Sequence, residues 1–143
     1  MTTLNILCLH GFYNFIEDVM KLRIEFNEGL ENNRVPISLN YLRWPPHLQS
    51  TLLDVHDRQY FVGKFLKQGK HWLKYNSPDK YARLYLEEYD QLKRWCDYLL
   101  QEPTQLKFRN DFVKFIKAYD VRRGKDFTKV YPGMAHLLEE WSE

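Results

Sequence analysis

Cysteine is scarce in this chain: its 143 residues include two, Cys8 and Cys96. Far apart in sequence, they make neither a C-x-x-C redox pair nor the clustered thiolates of a zinc or iron–sulfur site. They read as two reduced core thiols of a cytoplasmic protein. Long apolar runs are missing too. The longest early one, Ile6-Leu7-Cys8-Leu9, falls far short of the ~20 residues of a membrane helix, and no basic stretch precedes it as in a signal peptide. No membrane partner is expected. Neither sign of charge dominates, since 21 Lys+Arg face 19 Asp+Glu for a net +2, well short of the basic balance of a dedicated nucleic-acid binder. None of Ser38, Ser50, Ser77 and Ser142 is flanked by glycines, so the G-x-S-x-G nucleophile elbow is absent. No G-x-G-x-x-G and no P-loop occurs, and no cofactor is implied. The length allows one domain, 1–143, and is too short for a complete eightfold β/α barrel of roughly 200 to 250 residues.

What is present is a chain able to form a core: 44% hydrophobic residues, with 10 Tyr, 9 Phe and 4 Trp. The run Leu4 to Leu9, closed by His10-Gly11, reads as a buried strand. An amphipathic helix follows, with Asn14 as N-cap, Glu17 and Asp18 in its first turn, and Ile16, Val19, Met20 and Leu22 on its apolar side, ending near Gly29. Val35 to Tyr41 is a second strand, so residues 1–46 form a β-α-β unit with parallel strands. After Trp44-Pro45-Pro46 the periodicity is helical, giving a helical part over 47–143. One helix is expected from Val55 to Tyr75, weakened by Gly63 and Gly69. Another starts at Ser77-Pro78-Asp79, carries Tyr81, Leu84, Tyr85, Leu92, Trp95, Cys96, Leu99 and Leu100, and stops at Pro103. Phe108, Phe112, Phe115, Ile116 and Tyr119 mark a third, broken at Arg122-Arg123-Gly124. A last helix holds Met134, Leu137, Leu138 and Trp141. The fold class is α/β and helix-rich: one β-α-β unit followed by about four helices, like a partial β/α barrel.

Few constellations carry chemistry. Leu7 to Phe12 resembles the strand-to-loop segment of small α/β serine hydrolases, where a His-Gly pair helps shape the oxyanion hole, but the nucleophile is missing. The five histidines are dispersed. The adjacent pairs Glu87-Glu88 and Glu139-Glu140 diverge on a helix and read as solvated faces. Between Lys107 and Lys129, eight cations face three acids, interleaved with Phe108, Phe112, Phe115 and Tyr119. This is either a phosphate-contacting stretch with stacking rings or an ordinary amphipathic helix, the second being preferred. Asp120, Arg122 and Arg123, at the end of that helix, read as an internal ion-pair lock or an anion site.

Two segments suggest a family. Asn40 to Ser50, and Phe112 to Phe127 with Val130-Tyr131-Pro132-Gly133-Met134, together resemble the C-terminal half of the twitch-type radical S-adenosylmethionine proteins. There a late barrel strand ends in an N-x-x-x-x-P-like turn, and a helix with an F-x-x-x-x-x-x-D-x-x-R pattern closes the chain. The C-x-x-x-C-x-x-C cluster loop of that family is absent, as is its glycine-rich methionine-binding segment. The resemblance therefore implies ancestry and a fold fragment rather than activity. It also implies that the strand end Asn40 to Trp44 faces the mouth of the former barrel. Asn40, Arg43 and Trp44 would then contact a ligand or peptide, with His10 at the mouth end of the first strand.

The resulting expectation is a non-catalytic binding or partner-docking domain. Its partner would be another protein chain or a second copy paired through open strand edges. A small cytosolic enzyme using His10 as acid/base, with Arg43 or Arg122 as anion clamp, is the alternative. Nucleic-acid binding through Lys107 to Lys129 ranks third.

Overall fold

The computed structural model describes residues 2–73 and 82–142. It is helix-rich, with a two-stranded parallel sheet. Strand β1 (Thr2–Leu4) and strand β2 (Leu39–Tyr41) pair in the register Thr2↔Leu39, Thr3↔Asn40, Leu4↔Tyr41. Helix α1 (Phe12–Asn27) connects them, so the expected β-α-β unit is present. Helices α2 (Val55–Trp72), α3 (Leu86–Gln101), α4 (Arg109–Arg123), α5 (Phe127–Val130) and α6 (Ala135–Glu140) follow.

The first strand lies before the expected run Leu4 to Leu9 and shares only Leu4 with it, and the second is shorter than the expected Val35 to Tyr41. At Asn5 the side-chain oxygen accepts from the Leu7 amide at 2.9 Å, and Ile6–Cys8 coil into a 3₁₀ turn. A short polar side chain thus offers the backbone an alternative to the ladder. Ile6 and Leu9 are nevertheless buried, so the apolar run reflects tertiary cover rather than a strand. In 35–38 the amides turn to side chains: Val35 N–H donates to Asn33 Oδ1 and Ile37 N–H to Glu88 Oε2.

Helix α1 begins at Phe12, with Gly11 rather than Asn14 at its cap, and has no acid in its first turn. Ile16, Val19 and Met20 point inward as expected, whereas Leu22 is exposed and Arg23 takes the inner position. Helix α2 follows the predicted course to Trp72; Tyr75 lies outside the described residues. The start at Ser77-Pro78-Asp79 and Tyr81 also lie outside them. Leu84 and Tyr85 do not belong to the helix: Leu84 bridges to Leu73, and α3 begins at Leu86, where Glu88 Oε1 accepts from the Tyr85 amide at 3.1 Å. Helix α4 stops at Gly124, whose φ of 60° is left-handed and costs glycine little. Helix α5 was not foreseen; Asp126 nucleates it by accepting from the Thr128 amide.

One buried cluster joins the β-α-β unit to the helices, from Leu4 to Trp141. Its centre is aromatic: Phe12 meets Phe65 and Trp95 edge-on at 4.9 and 5.2 Å, and Phe65 stacks on Trp95 at 5.4 Å. Each such side chain contributes roughly 1.5–3 kcal/mol when removed from water. Cys96 lies in this core, and burial pushes its thiol up to about 12. Both cysteines are free.

Among the described residues three charged side chains are also buried: Arg23, Arg58 and Glu88. Glu88, expected on a solvated face, instead forms a two-pronged pair with Arg23 at 2.8 and 2.7 Å. The Arg58 guanidinium donates to the carbonyls of Leu53, Leu99 and Glu102 and to Thr104 Oγ1. It thereby satisfies carbonyls that the end of α3 leaves without helical partners.

Candidate functional site

The parallel strands place both of their C-terminal ends on one side of the sheet, but the chain beyond them diverges. After β1 the 3₁₀ turn carries His10 toward the α5–α6 region. Its ring meets Phe61 edge-on at 5.0 Å. A Cβ added to Gly133 would lie 2.9 Å from the ring, so this glycine admits the imidazole. His10, Leu7, Tyr131 and Met134 share a cleft of about 390 Å³. Burial, then the charges of His136 and Lys64, hold the imidazole below its usual 6.5. Among the described residues no side chain hydrogen-bonds to His10, so neither a nucleophile–base pair nor a base–orienter pair is assembled around it.

Leu7, Val130 and Tyr131 line a second, apolar cavity of about 420 Å³ next to the first. The 3₁₀ turn Pro46–Leu48 supplies Leu48, α4 supplies Phe115, Ile116 and Tyr119, and Asp120 and Lys125 stand at its edge. Asp120 does not form the expected lock. Its Oδ2 accepts from the Phe127 amide at 2.9 Å and its carbonyl from the Lys125 amide at 3.1 Å, which closes the turn after α4. Arg122 and Arg123 are exposed and pair with no carboxylate among the described residues.

After β2 a third cleft, of about 330 Å³, is lined by Leu39, Asn40, Tyr41, Arg43, Gln91 and Arg94. Asn40 and Arg43 therefore line one cleft. Arg43 donates to the Tyr41 hydroxyl at 2.8 Å, and the Tyr41 ring stacks on Tyr98 at 4.3 Å. Trp44, 78% exposed, lines none of these clefts. Among the described residues His10 and Arg43 line different clefts, and Arg122 lines neither of them.

Sequence reasoning missed Arg94 and Gln91, which look like ordinary polar positions of a helix, and Leu48, whose cavity role depends on how the 3₁₀ turn packs on α4. Val130 and Tyr131 were visible only as part of a family pattern. Among the described residues no group of three or more His, Cys, Asp or Glu is placed to hold a metal, and no helix is long and apolar enough to cross a membrane. The chain is thus a helix-rich α/β protein with an apolar groove and a separate polar cleft. Comparison with protein-family models, curated proteins and solved structures returns no match.

Proposed function

We propose that the chain is a partner-docking module whose groove between α4, α5 and the Pro46–Leu48 turn receives an apolar side chain from an acidic segment of another protein. The observation that carries this reading is the groove itself. Phe115, Tyr119 and Val130 are 39%, 49% and 60% exposed yet line one apolar cavity. Clustered apolar exposure of this kind marks interaction surfaces, whereas scattered exposure does not. Charge selects the partner's chemistry: Lys114 and Lys117 on α4 and Lys125 at the groove edge are exposed, within a stretch of eight cations and three acids. A peptide with an aromatic or aliphatic anchor and flanking Asp or Glu complements both features.

The groove draws on both segments that resemble radical S-adenosylmethionine proteins, Leu48 from the first and Phe115 to Tyr131 from the second. The same proposal takes the chain as a descendant of the back half of such a barrel. The same reading assigns the protein to the cytoplasm, where Cys8 and Cys96 persist as thiols.

Selection from a random peptide library against the full chain tests the proposal. Enriched peptides should pair an apolar anchor with acidic neighbours. A Phe115→Ala/Tyr119→Ala variant should bind the best of them at least about 30-fold more weakly, the loss expected when central anchors are truncated. Retained affinity in that variant, or stronger binding of an oligothymidine than of any selected peptide, would refute it.

A further inference from the structure

In strand β2 the backbone groups of alternate residues face opposite ways. Ser38 and Leu42 bond to β1, so Ile37, Leu39 and Tyr41 point their amides outward, toward α3. Two residues one turn apart on α3 receive the first two: Glu88 Oε2 accepts from Ile37 N–H at 3.2 Å, and Gln91 Oε1 from Leu39 N–H at 2.7 Å. The helix thus stands in for a neighbouring strand. One turn further on, the pattern reverses, because Arg94 is a donor. The Tyr41 amide finds no acceptor among the described residues, and Tyr41 and Arg94 line one cleft.

At this same place lies the cleft of about 330 Å³. Among its six lining residues none is acidic, and two are arginines. Arg94 makes no ion pair among the described residues, and Arg43 is held by the Tyr41 hydroxyl and rests 5.1 Å from that ring rather than on a carboxylate. The Gln91 side-chain oxygen is already occupied by Leu39, which leaves its NH₂ group to donate. The cleft therefore combines two guanidinium groups, an outward backbone amide and side-chain amides, and it lacks a negative group of its own.

From this geometry we infer that the cleft between β2 and α3 is an oxyanion site that takes a phosphate group, either free or as the monoester of a small molecule. Guanidinium forks match phosphate oxygens. Donors arriving from a strand end and from a facing helix suit a tetrahedral anion better than a planar carboxylate. The volume is at the lower end for small-ligand cavities, ~300–1,000 Å³, which admits a phosphate with a small organic group. This site is independent of the apolar groove.

Amide chemical shifts of the full chain, followed at constant ionic strength, provide the test with inorganic phosphate, glucose 6-phosphate and acetate as probes. Phosphate should produce saturable shifts centred on Tyr41 and the Gln91–Arg94 turn, and acetate at equal concentration should not. Tighter binding of glucose 6-phosphate identifies a phosphomonoester as the natural class, and equal binding identifies free phosphate. Arg43→Gln and Arg94→Gln, both on exposed side chains, should each weaken binding at least about tenfold with an unchanged circular-dichroism spectrum. Phe115→Ala/Tyr119→Ala should leave it intact. Shifts that grow linearly without saturation, an equal response to acetate, or undiminished binding by the Arg43→Gln/Arg94→Gln double variant would overturn the assignment.

Discussion

Arg23 is the residue on which the inner side of α1 turns. Its five N–H groups all find acceptors: the Val35 carbonyl twice, the Arg83 carbonyl, and both oxygens of Glu88. Glu88 in return also accepts from the Ile37 and Tyr85 amides. One buried pair thus ties α1 and the chain before β2 to the start of α3. Desolvating two charges is costly, and the arrangement is tolerable because every prong is satisfied. Glu88→Ala leaves the guanidinium buried without its counter-charge, and the expected loss is about 3–5 kcal/mol in urea-induced unfolding. The Arg23→Met/Glu88→Leu double variant should lose less than the sum of the two single changes. Losses that simply add would mean the pair is not coupled. Helical periodicity can indicate that α1 and α3 have inner faces, but it ranks Leu22 above Arg23 for the inner position, because a charged residue becomes an inner residue only when its partner arrives from another element.

At the scale of elements, α2 and α3 pack closely at Gly69. Gly69 is buried, and a Cβ there would lie 2.9 Å from both Leu92 Cδ2 and Tyr89 Cε2. From sequence, the glycine is a weakness in a helix; in the packed molecule it is what lets the helices meet. Gly69→Ala should therefore destabilise the protein by about 1–3 kcal/mol through overpacking, although the same change raises intrinsic helix propensity. A thermal midpoint that rises in this variant would show that the helices separate without penalty. The same reasoning applies to the sheet. Three residue pairs do not sustain two strands alone, and side chains complete the edges: Glu88 and Gln91 on the β2 side, and on the β1 side the Cys8 thiol, 3.7 Å from the Thr3 carbonyl. This leaves less open edge for strand pairing with another chain than the sequence suggested. The docking surface we propose lies instead on α4 and α5.

For the molecule as a whole, one route by which acidity reaches stability is His10. Its folded pKa lies below the ordinary 6.5, chiefly through burial and then through His136 and Lys64. The unfolded chain therefore takes up a proton at higher pH than the folded one. The contribution of His10 should hold above pH 6.5, fall as the pH drops through that value, and level off once the folded imidazole is also protonated. Urea unfolding of His10→Gln alongside the parent chain isolates this step, since the difference between their stabilities should change over that window. A pH-independent difference would place His10 in the same surroundings in both states.

Local chemistry along the chain determined a good deal by itself. The helix expected from Val55 and the stretch ending at Gly124 carry their own helical periodicity, and the expected strands Leu4 to Leu9 and Val35 to Tyr41 pointed to a β-α-β unit while misplacing the first strand and lengthening the second. These features depend on near neighbours, which are legible in order and spacing. The tertiary structure decided where the charges went and which residues met. It buried Glu88 against Arg23, turned Asp120 to an amide rather than to Arg122, and separated His10 from Arg43. It also brought Arg94 across to β2 and set Leu48 beside Tyr119. Each of those outcomes depends on two segments distant in sequence, and the free energy of a buried charge or an open cleft exists only once both are in place.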